Sequence, residues 1–348
     1  MTTKEPIQRE RIQQLARDCG FELAGLARAE PHPDYITYRD WTAAGRAGRM
    51  GYLTDHRAEV RSDPRHLLET ARSILCVGKL YNGPEPYSNQ YDGEYLGWVS
   101  RYAWGDDYHD ILRAGLEDLA RRLMAEAGPF DYRVCVDTAP ILERSYARSA
   151  GLGWIGKNTC LIRETAGSWF FLGELLLSLE LPPDSAPPDR CGTCTACIEA
   201  CPTNALEPWV LDSRLCISYL TIELRAEIPE QMRAGMGRHV FGCDICQDVC
   251  PWNRRAPVTR DHRFRPRILA PPLEQLAALS ETEFRAMWGG SPVSRARYRG
   301  FLRNVAVALG NSGQRCFLPV LERLAAHDDA IVAAHAGWAI EQLRIIGE

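Results

Sequence analysis

The sequence predicts a mixed α/β domain, then a compact cysteine-rich module, then an α-helical domain. Three observations support this fold class. Segments with strand and helix character alternate through the first half of the 348-residue chain. Eight of the 13 cysteines fall between positions 191 and 250. From position 273 onward, apolar and alanine residues recur at helical spacing. We place the three domains at residues 1–180, 181–258 and 259–348.

The first domain begins with a helix that is followed by a strand. Apolar residues recur at roughly helical spacing from Ile7 to Cys19, and Gly20 is suited to end that helix. By the same criteria, we predict strands at residues 21–27, 73–79, 133–137 and 169–181, and further helices at residues 108–127 and 140–150. Strands and helices mixed in this order indicate an α/β layered domain.

The C-terminal third is predicted to be a helical domain reached through the cysteine-rich module. Four prolines between Leu181 and Arg190 indicate a linker into that module. After Leu273, the segment FLRNVAVALG at 301–310 resembles VAAHAGWAI at 332–340, at an offset typical of helix-pair repeats. Small alanines suit closely stacked helices. We therefore expect a HEAT-like helical domain.

The cysteine-rich module has the spacing of a bacterial ferredoxin. Three cysteines at two-residue gaps are followed by a fourth cysteine and a proline, and in two-cluster proteins that fourth cysteine binds the other cluster. This crossing rule predicts one cluster held by Cys191, Cys194, Cys197 and Cys250. It predicts a second held by Cys201, Cys216, Cys243 and Cys246. The pattern therefore indicates two [4Fe-4S] clusters.

Two structural zinc ions are the alternative for these cysteines. Paired Cys-x-x-Cys units also suit a tetrahedral thiolate site. The three-cysteine series and the Cys-Pro ending of both runs favour iron–sulfur. The other five cysteines are scattered and are expected to be buried thiols rather than disulfides: Cys19, Cys76, Cys135, Cys160 and Cys316.

Composition and patterning predict a cytosolic protein with no membrane contact. The 41 basic and 45 acidic residues are near balance, so net charge alone indicates no polyanionic partner. Residues 1–6 are polar and contain no apolar core of an export signal. Glu174 interrupts the longest apolar run, at 169–181, which is too short to span a bilayer.

Clusters that deliver single electrons need an acceptor, and the long N-terminal domain suggests a second cofactor. No G-x-G-x-x-G dinucleotide fingerprint is present there. The corrinoid motif Asp-x-His-x-x-Gly starts at Asp107 and His109, but Leu112 stands where glycine is required. A corrinoid, if bound, would therefore lack that histidine as a lower ligand.

Three segments of the first domain could contribute to a site. Asp137 lies at the end of a predicted strand, where α/β domains place ligands, although it could simply cap the next helix. The glycine-dense segment 151–158 could approach a cofactor closely, or be a bend before a strand. The segment 100–109 mixes aromatic and charged residues, as an exposed site or a capped helix entrance would.

Two arginine-rich segments suit contact with phosphate groups. One contains Arg254, Arg255, Arg260, Arg263, Arg265 and Arg267. The other contains Arg295, Arg297, Arg299 and Arg303, with Tyr298 as a stacking aromatic. A solvated charged face is the alternative for both segments.

Together these segments resemble the epoxyqueuosine reductase family over nearly the whole chain. The resemblance rests on five stretches: Arg101-Tyr102 to Tyr108-His109, Val136 to Pro140 with Glu143-Arg144, Gly151 to Thr159, Cys191 to Pro202, and Cys243 to Asn253. The glycine segment and the last stretch are more specific than a generic ferredoxin pattern.

The resemblance implies an enzyme that depends on cobalamin and two [4Fe-4S] clusters. Such enzymes reduce epoxyqueuosine to queuosine at the wobble base of tRNAs with a GUN anticodon, the last step of queuosine biosynthesis. The front domain would be an α/β (α+β) corrinoid-binding domain similar to that of reductive dehalogenases, followed by the ferredoxin-like module and the HEAT-like end. The electron donor is not identified by the sequence, and a monomer is expected.

The resemblance also implies roles for individual residues. Asp137 would be the general acid, with a pKa raised by apolar surroundings or by the cofactor. The two arginine-rich segments would hold the tRNA backbone. The cobalamin contacts, assigned by position, are Arg57, Ser100, Asp137, Arg144, Lys157, Asn158 and Ser168.

Other functional classes remain open on sequence grounds. A corrinoid reductive dehalogenase would turn over haloarenes without RNA. A ferredoxin-type electron carrier with a helical docking domain would bind clusters but no corrinoid. An RNA-binding scaffold would hold zinc in place of iron.

Overall fold

The computed structural model describes residues 7–87, 90–91, 93 and 95–345. The polar start at residues 1–6, on which the expected lack of an export signal rests, lies outside this range. The strands are β1 Leu23–Arg28, β2 Ser73–Leu80, β3 Trp98–Val99, β4 Tyr132–Cys135, β5 Trp154–Ile155, β6 Leu161–Ile162, β7 Phe170–Leu177, β8 Leu206–Glu207, β9 Val210–Leu211 and β10 His239–Phe241.

The α-helices are distributed over all parts of the chain and dominate its C-terminal end. They are α1 Arg9–Asp18, α2 Asp34–Ala43, α3 Arg57–Val60, α4 Tyr108–Ala127, α5 Glu143–Ser149, α6 Ala196–Glu199, α7 Ile217–Ile222, α8 Glu230–Arg233, α9 Ile245–Asp248, α10 Leu273–Ala278, α11 Glu281–Trp288, α12 Arg297–Asn311, α13 Leu318–Ala325 and α14 Ala330–Ile345. Among the described residues, no helix combines the length and the apolar character that a membrane crossing requires.

A four-stranded antiparallel sheet in the order β1-β2-β7-β4 forms the centre of the N-terminal part. Side chains alternate between its two faces, as the period of two along a strand requires. On β7, Phe171 and Leu175 belong to the core that includes α1 and α4, whereas Phe170 and Leu176 belong to the core that includes α5. The sheet is therefore covered on both sides, which confirms the mixed α/β prediction.

Several predicted elements are confirmed with small shifts in their ends. The helix predicted at 108–127 is α4, and Gly128 follows it with a φ of 93°. The strand predicted at 133–137 ends at Cys135, because Asp137 has a left-handed φ of 45° that a strand cannot contain. The strand predicted at 169–181 is the shorter β7, which stops at Leu177 where its pairing with β2 and β4 ends.

The cysteine-rich module contains only short helices and strands. Residues 181–190 have no regular secondary structure, as their prolines predict. The first cysteine run surrounds α6, and the second surrounds α9. Each of these helices has four residues, so the local backbone is set mainly by turns that bring the sulfurs together.

The C-terminal end is helical from α10 onward, and α12 lies at its centre. Every residue from Phe301 to Gly310 is buried. The similar segments 301–310 and 332–340 fall on α12 and α14, which pack against each other. A Cβ on Gly310 would lie 2.8 Å from the Cβ of Ala339, so the close approach of the helices requires glycine there.

The helical end does not have a core of its own. Its buried residues form one cluster with side chains from 217–241 and with Val99, Ala103 and Trp104. Cys216 and Cys243 pack against the same cluster. The chain between these two cysteines is therefore packed between the sheet domain and the C-terminal helices.

Candidate functional site

Four of the eight cysteines surround one cavity of about 260 Å³. Cys191, Cys194 and Cys197 line it together with Cys250, the set that the crossing rule predicts. Cys194 is exposed, so this group reaches the protein surface. A zinc ion would hold four sulfurs at about 2.3 Å from one centre. A cavity of this size between four thiols fits a multi-atom cluster better.

The other four cysteines form a second, deeper group. Burial raises the pKa of Cys243 well above its usual value, and the neighbouring thiols of Cys216 and Cys201 add to the shift. The pKa of Cys246 is raised too, by its contact with Cys160, by burial, and by the nearby Cys243 and Cys216. The backbone N–H of Ala205 donates to Cys201 Sγ at 3.3 Å. Cys201, Cys216, Cys243 and Cys246 are thus near enough for their charges to act on one another, although nowhere in the described part of the chain are three or more such side chains close enough to hold a single metal ion.

Cys160 is a neighbour of the second group that the sequence did not single out. Its thiol lies within hydrogen-bonding reach of Cys246. It follows the glycine-dense segment, and its N–H donates to Asn158 Oδ1 at 3.2 Å. No spacing rule connects Cys160 to the cysteine runs, so only the tertiary structure reveals this contact.

Asp137 lies just beyond β4 and faces a set of charged side chains. Its Oδ2 accepts hydrogen bonds from His109 Nε2 at 3.0 Å and from Arg295 Nη1 at 3.2 Å. Its backbone N–H donates to Glu143 Oε1 at 2.6 Å. The N-cap of α5 is Leu142, so the capping interpretation of Asp137 is wrong. The side chain is 37% exposed, and its Oδ1 has no partner among the described residues.

The charge state of Asp137 differs from the expected one. Burial alone would raise its pKa, but the hydrogen bond from His109 and the charge of Arg295 outweigh burial and hold the pKa below its usual value. The surroundings are therefore polar and cationic rather than apolar, and the expected elevation by apolar surroundings is wrong. The resting carboxyl is ionised at neutral pH.

His109 is held on both ring nitrogens. Nδ1 lies 2.6 Å from Asp107 Oδ1, and Nε2 contacts Asp137. Burial would lower the pKa of His109, but the hydrogen bonds to Asp107 and Asp137 raise it to about 9. Asp107 also caps α4 by accepting from the His109 backbone N–H. The ring is therefore a protonated cation at neutral pH with no free nitrogen for a metal.

Arg295 joins the C-terminal end to this site. It lies in the short 3₁₀ helix Pro292–Ala296 just before α12, and its second nitrogen Nη2 donates to Glu223 Oε1 at 2.8 Å. It was expected to contact the tRNA backbone, but its guanidinium is engaged with Asp137 and Glu223. Only the fold brings it next to Asp137, because 158 residues separate the two in sequence.

Arg303 does not lie on the surface. It is 1% exposed, and its guanidinium donates to the carbonyl groups of Leu220, Leu224 and Ala226. The expectation that Arg303 contacts RNA is therefore wrong. The other arginines of the two segments remain at least partly accessible, and eight have exposed positions: Arg254, Arg255, Arg260, Arg263, Arg265, Arg267, Arg297 and Arg299.

Four of the predicted cobalamin contacts bind the cysteine-rich module. Lys157 Nζ donates to the carbonyls of Gly192 and Cys194 at 2.8 and 3.0 Å. Asn158 donates to the carbonyl of Cys246. The two serines bond to side chains of the module. Ser100 donates to Asp244 Oδ1. Ser168 donates to Gln247 Oε1 and accepts from Asn253 Nδ2. These polar atoms fix the sheet domain against the cluster-binding segments.

Arg144 and Arg57, two further predicted contacts, bind residues of the N-terminal domain instead. Arg144 donates to the carbonyl of Thr159. Arg57 is paired with Asp55 and lies over the ring of Tyr52, 5.7 Å from its centroid. Tyr52 in turn is close enough to Arg295 and Asp137 for their charges to act on it. As corrinoid contacts, all seven residues stay predictions.

Two carboxyl groups, one half-buried and one fully buried, lie on the inner side of Asp137. Burial first, and then the charge of Asp137, raise the pKa of Glu143 to about 8. Glu174 on β7 is 0% exposed, and neither of its carboxyl oxygens has a hydrogen-bond partner in the described part of the chain. The sequence showed Glu174 only as the residue that interrupts an apolar run. A single acidic residue in a strand of that kind is the signal of a buried carboxyl.

Comparison with known proteins points to one family. Residues 61–138 match the family model described as epoxyqueuosine reductase QueG, and residues 190–253 match a 4Fe-4S double cluster binding domain. The epoxyqueuosine reductase of Xanthomonas campestris is 46% identical over 339 residues, which cover 95% of this chain and 95% of the relative.

Solved structures agree with these sequence matches. A crystal structure of epoxyqueuosine reductase with a tRNA-Tyr epoxyqueuosine-modified stem loop has a TM-score of 0.88 at 29% identity, covering 98% of this chain and 90% of that one. The epoxyqueuosine reductase from Bacillus subtilis has a TM-score of 0.86 at 28% identity, covering 96% and 90%. It was solved with an aspartate-bearing catalytic loop swung out of its active site.

Proposed function

The chain belongs to the epoxyqueuosine reductase family, and from this premise we propose how its residues carry out the reaction. It is an oxidoreductase that reduces epoxyqueuosine to queuosine at the wobble position of tRNA. One observation supports Asp137 as the reacting residue: His109 and Arg295 both contact its accessible carboxyl.

The eight cysteines of the module would hold two [4Fe-4S] clusters, which when bound would supply electrons one at a time. We assign Cys191, Cys194, Cys197 and Cys250 to the outer cluster, which lies where an external donor can reach it. We assign Cys201, Cys216, Cys243 and Cys246 to the inner one. Lys157 supports the outer group through the carbonyls of Gly192 and Cys194.

We propose cobalamin as the acceptor of these electrons. When bound, it supplies a low-valent cobalt that can act as a strong reductant or nucleophile towards the epoxide. Both ring nitrogens of His109 are engaged by carboxylates, so His109 would not be available to bind the cobalt. Arg57 and Arg144 are the positions we favour for the polar groups of the corrinoid; the other predicted contacts are Ser100, Lys157, Asn158 and Ser168.

Asp137 is the proposed proton donor to the epoxide oxygen. Removing that oxygen as water breaks both of its C–O bonds, forms a C=C bond, and consumes two electrons and two protons. Oδ1 of Asp137 is accessible for the oxygen, whereas Oδ2 is held by two cations. A proton moved from the imidazolium of His109 to Oδ2 would neutralise the carboxyl, and rotation about its Cβ–Cγ bond would present that protonated oxygen to the epoxide, so the ionised Asp137 becomes a general acid.

The contacts of Asp137 also define the position of its loop. Its left-handed backbone is held by the hydrogen bond to Glu143 and by the ion pair with Arg295. The relative from Bacillus subtilis, in which such a loop is swung out, indicates that these contacts can be released. We propose that the conformation described is the closed, reactive one.

Further features of the substrate complex follow as proposals. A tRNA with a GUN anticodon would contact the exposed arginines through its phosphates. The helices α12 and α14 would form the HEAT-like unit that supports those arginines. A monomer in the cytoplasm, where tRNA is available, is the simplest arrangement for this reaction.

Replacing Asp137 with asparagine tests the proposed role. Asp137→Asn keeps the shape of the side chain but removes its ability to bind and release a proton. We therefore expect turnover to fall at least about 100-fold. Turnover is measured on an epoxyqueuosine-modified stem loop after anaerobic reconstitution with iron, sulfide and cobalamin. The iron content and the affinity for the stem loop should stay at the wild-type values.

The exposed carboxyl of Asp110 in the first turn of α4 provides a matched control. Asp110→Asn removes a nearby negative charge that does not contact Asp137, and it should retain wild-type turnover. If Asp137→Asn kept wild-type turnover, Asp137 would not be the proton donor.

A further inference from the structure

Glu174 occupies an unusual position for a carboxyl group. It lies in the middle of β7, opposite Cys76 of β2 and opposite Cys135 of β4. Residues directly opposite each other in a sheet point to the same face, so all three side chains lie on the face covered by α5. Glu174 is 0% exposed, and both of its oxygens lack hydrogen-bond partners among the described residues.

Within the described part of the chain, no cation compensates the carboxyl of Glu174. Burial, followed by the negative charges of Glu143 and Asp137, raises its pKa well above the usual value. The thiols of Cys76 and Cys135 beside it are buried and neutral. An unpaired carboxylate in such a place would be very costly, so the group keeps its proton at neutral pH. The protein therefore stores a proton inside the sheet domain.

This stored proton lies next to the catalytic loop. Because Cys135 is opposite Glu174 and ends β4, Asp137 follows only two residues further on. Glu143 lies between the interior and the loop, since its Oε1 accepts the N–H of Asp137. The charged groups that act on Glu143 are Asp137, Arg144 and His109. Glu174, Glu143 and Asp137 form a series of carboxyl groups from the buried sheet to the accessible site.

The reaction needs two protons, and the contacts of Asp137 provide one immediate source. The imidazolium of His109 can supply a single proton and is then neutral. We propose that Glu174 and Glu143 are a proton reserve that recharges Asp137 for the second proton transfer of each turnover. This inference rests on the proposed role of Asp137 as the proton donor.

The transfer is balanced in atoms and charge. A proton leaves the carboxyl of Glu143, reaches the carboxylate of Asp137, and then joins the oxygen that departs as water, while the proton of Glu174 replaces the one that Glu143 has lost. The two electrons are those that the reductase reaction already consumes. Glu143 is half-buried, so the reserve is refilled from solvent through it. Both glutamates act through Asp137 and do not touch the substrate.

Glu174→Gln is the most direct test, carried out in the reconstituted holoenzyme. Glutamine has nearly the same shape but cannot exchange a proton in this way. We expect kcat to fall at least about 10-fold with an unchanged KM for the modified stem loop. The solvent deuterium isotope effect on kcat should increase, because proton resupply becomes rate-limiting. A purely structural neutral carboxyl would tolerate glutamine, so wild-type kcat and isotope effect would overturn the proposal.

Cys76→Ala is the matched control for packing at the same level of the sheet. It truncates a buried side chain directly opposite Glu174 and adds no hydrogen-bonding group. Wild-type kcat and isotope effect are expected for this variant. If Cys76→Ala reproduced the loss seen with Glu174→Gln, the loss would come from packing and the reserve would be rejected.

Two further measurements keep the proposal testable if Glu174→Gln does not fold. Glu143→Gln changes a half-buried residue and should give the same fall in kcat and the same increase in isotope effect. The infrared spectrum of the wild-type protein at neutral pH should contain the carbonyl band of a protonated, glutamate-labelled carboxyl. Absence of that band, or wild-type kinetics of Glu143→Gln, would contradict the reserve.

Failure of this inference can be distinguished from failure of the proposed function. If Asp137→Asn is active, Asp137 is not the donor, and the reserve has no acceptor. If Asp137→Asn is inactive while both glutamine variants turn over at the wild-type rate, Asp137 keeps its role and only the reserve is rejected.

Discussion

The two arginine-rich segments have similar composition but different environments. Segment 254–267 has no regular structure apart from the short 3₁₀ helix His262–Phe264, and several of its arginines face solvent. Segment 295–303 leads into α12, which is buried on all sides along 301–310. There, Arg303 lies inside the core and Arg295 contacts Asp137. A run of arginines in the sequence therefore predicts a local positive charge. It does not predict whether each side chain faces solvent, the core or another charged group.

This difference divides the arginines by function. Arg303 supports the fold, Arg295 contacts the proposed catalytic aspartate, and the exposed arginines of both segments are the ones we propose for the phosphates of tRNA. Each assignment predicts a loss of a different property on substitution, so the comparison can be tested one property at a time.

The largest effect is expected at Arg303. Arg303→Ala would leave the buried carbonyls of Leu220, Leu224 and Ala226 without donors, at about 1–3 kcal/mol each. We expect the free energy of unfolding of the holoenzyme to fall by at least about 3 kcal/mol, measured by denaturant titration. The exposed Arg297 is the control. Arg297→Ala should change the free energy of unfolding by no more than about 0.5 kcal/mol. Equal effects in both variants would refute the distinction.

Substitution of Arg295 should affect the reaction and spare the fold. Arg295→Gln removes the cation that pairs with Asp137 and Glu223, so the carboxyl is less well placed. We expect kcat to fall about 10- to 100-fold, with stem-loop affinity unchanged. If Arg295→Gln weakened stem-loop binding and left kcat unchanged, Arg295 would contact the RNA instead of positioning Asp137.

The pH dependence should separate catalysis from RNA binding. The pKa of His109 is raised to about 9, so the ring is charged below that pH and loses its proton above it. We expect kcat to fall about tenfold for each pH unit above pH 9. Arginines stay charged throughout this range, so stem-loop affinity should not change. If stem-loop affinity fell above pH 9 by the same factor as kcat, catalysis and RNA binding would not be separable by pH.

The smallest effect is expected for the surface arginines. Arg260→Ala combined with Arg265→Ala should weaken stem-loop binding a few-fold at moderate salt. The slope of log affinity against log salt should become shallower by about 0.7 for each phosphate that the variant no longer neutralises. Arg285, which is paired with Glu281 on α11, is a control outside both segments. If the double variant kept the wild-type slope, the segment 254–267 would not bind the RNA backbone.

Local patterns in the sequence predicted local structure well. Helix α4 was predicted at 108–127 from the helical spacing of its apolar residues, and the structure confirms both ends, with Asp107 as the N-cap and Gly128 after the last turn. The cysteine spacing predicted which four thiols meet in the first cavity, because short gaps leave few arrangements of the chain. Both signals act within a few residues of the structure they determine.

The site itself required tertiary information. His109 and Asp137 are 28 residues apart, and nothing in the spacing indicates that β4 ends beside the start of α4. Glu174 could have been recognised as buried from its apolar strand, but its closeness to Asp137 depends on strand register. Arg303 had a usable signal, since it lies in a run of apolar and small residues that predicts a helix buried all round.

The interleaving of the two cysteine runs has a consequence for biosynthesis. In the proposed ligand assignment, the outer cluster needs Cys250 from the second run, and the inner cluster needs Cys201 from the first. A ribosome must therefore translate at least 250 of the 348 codons before the outer ligand set is complete. Iron and sulfide delivery thus becomes a late event in the life of the nascent polypeptide, and a premature stop before position 243 would yield a product unable to mature at either centre.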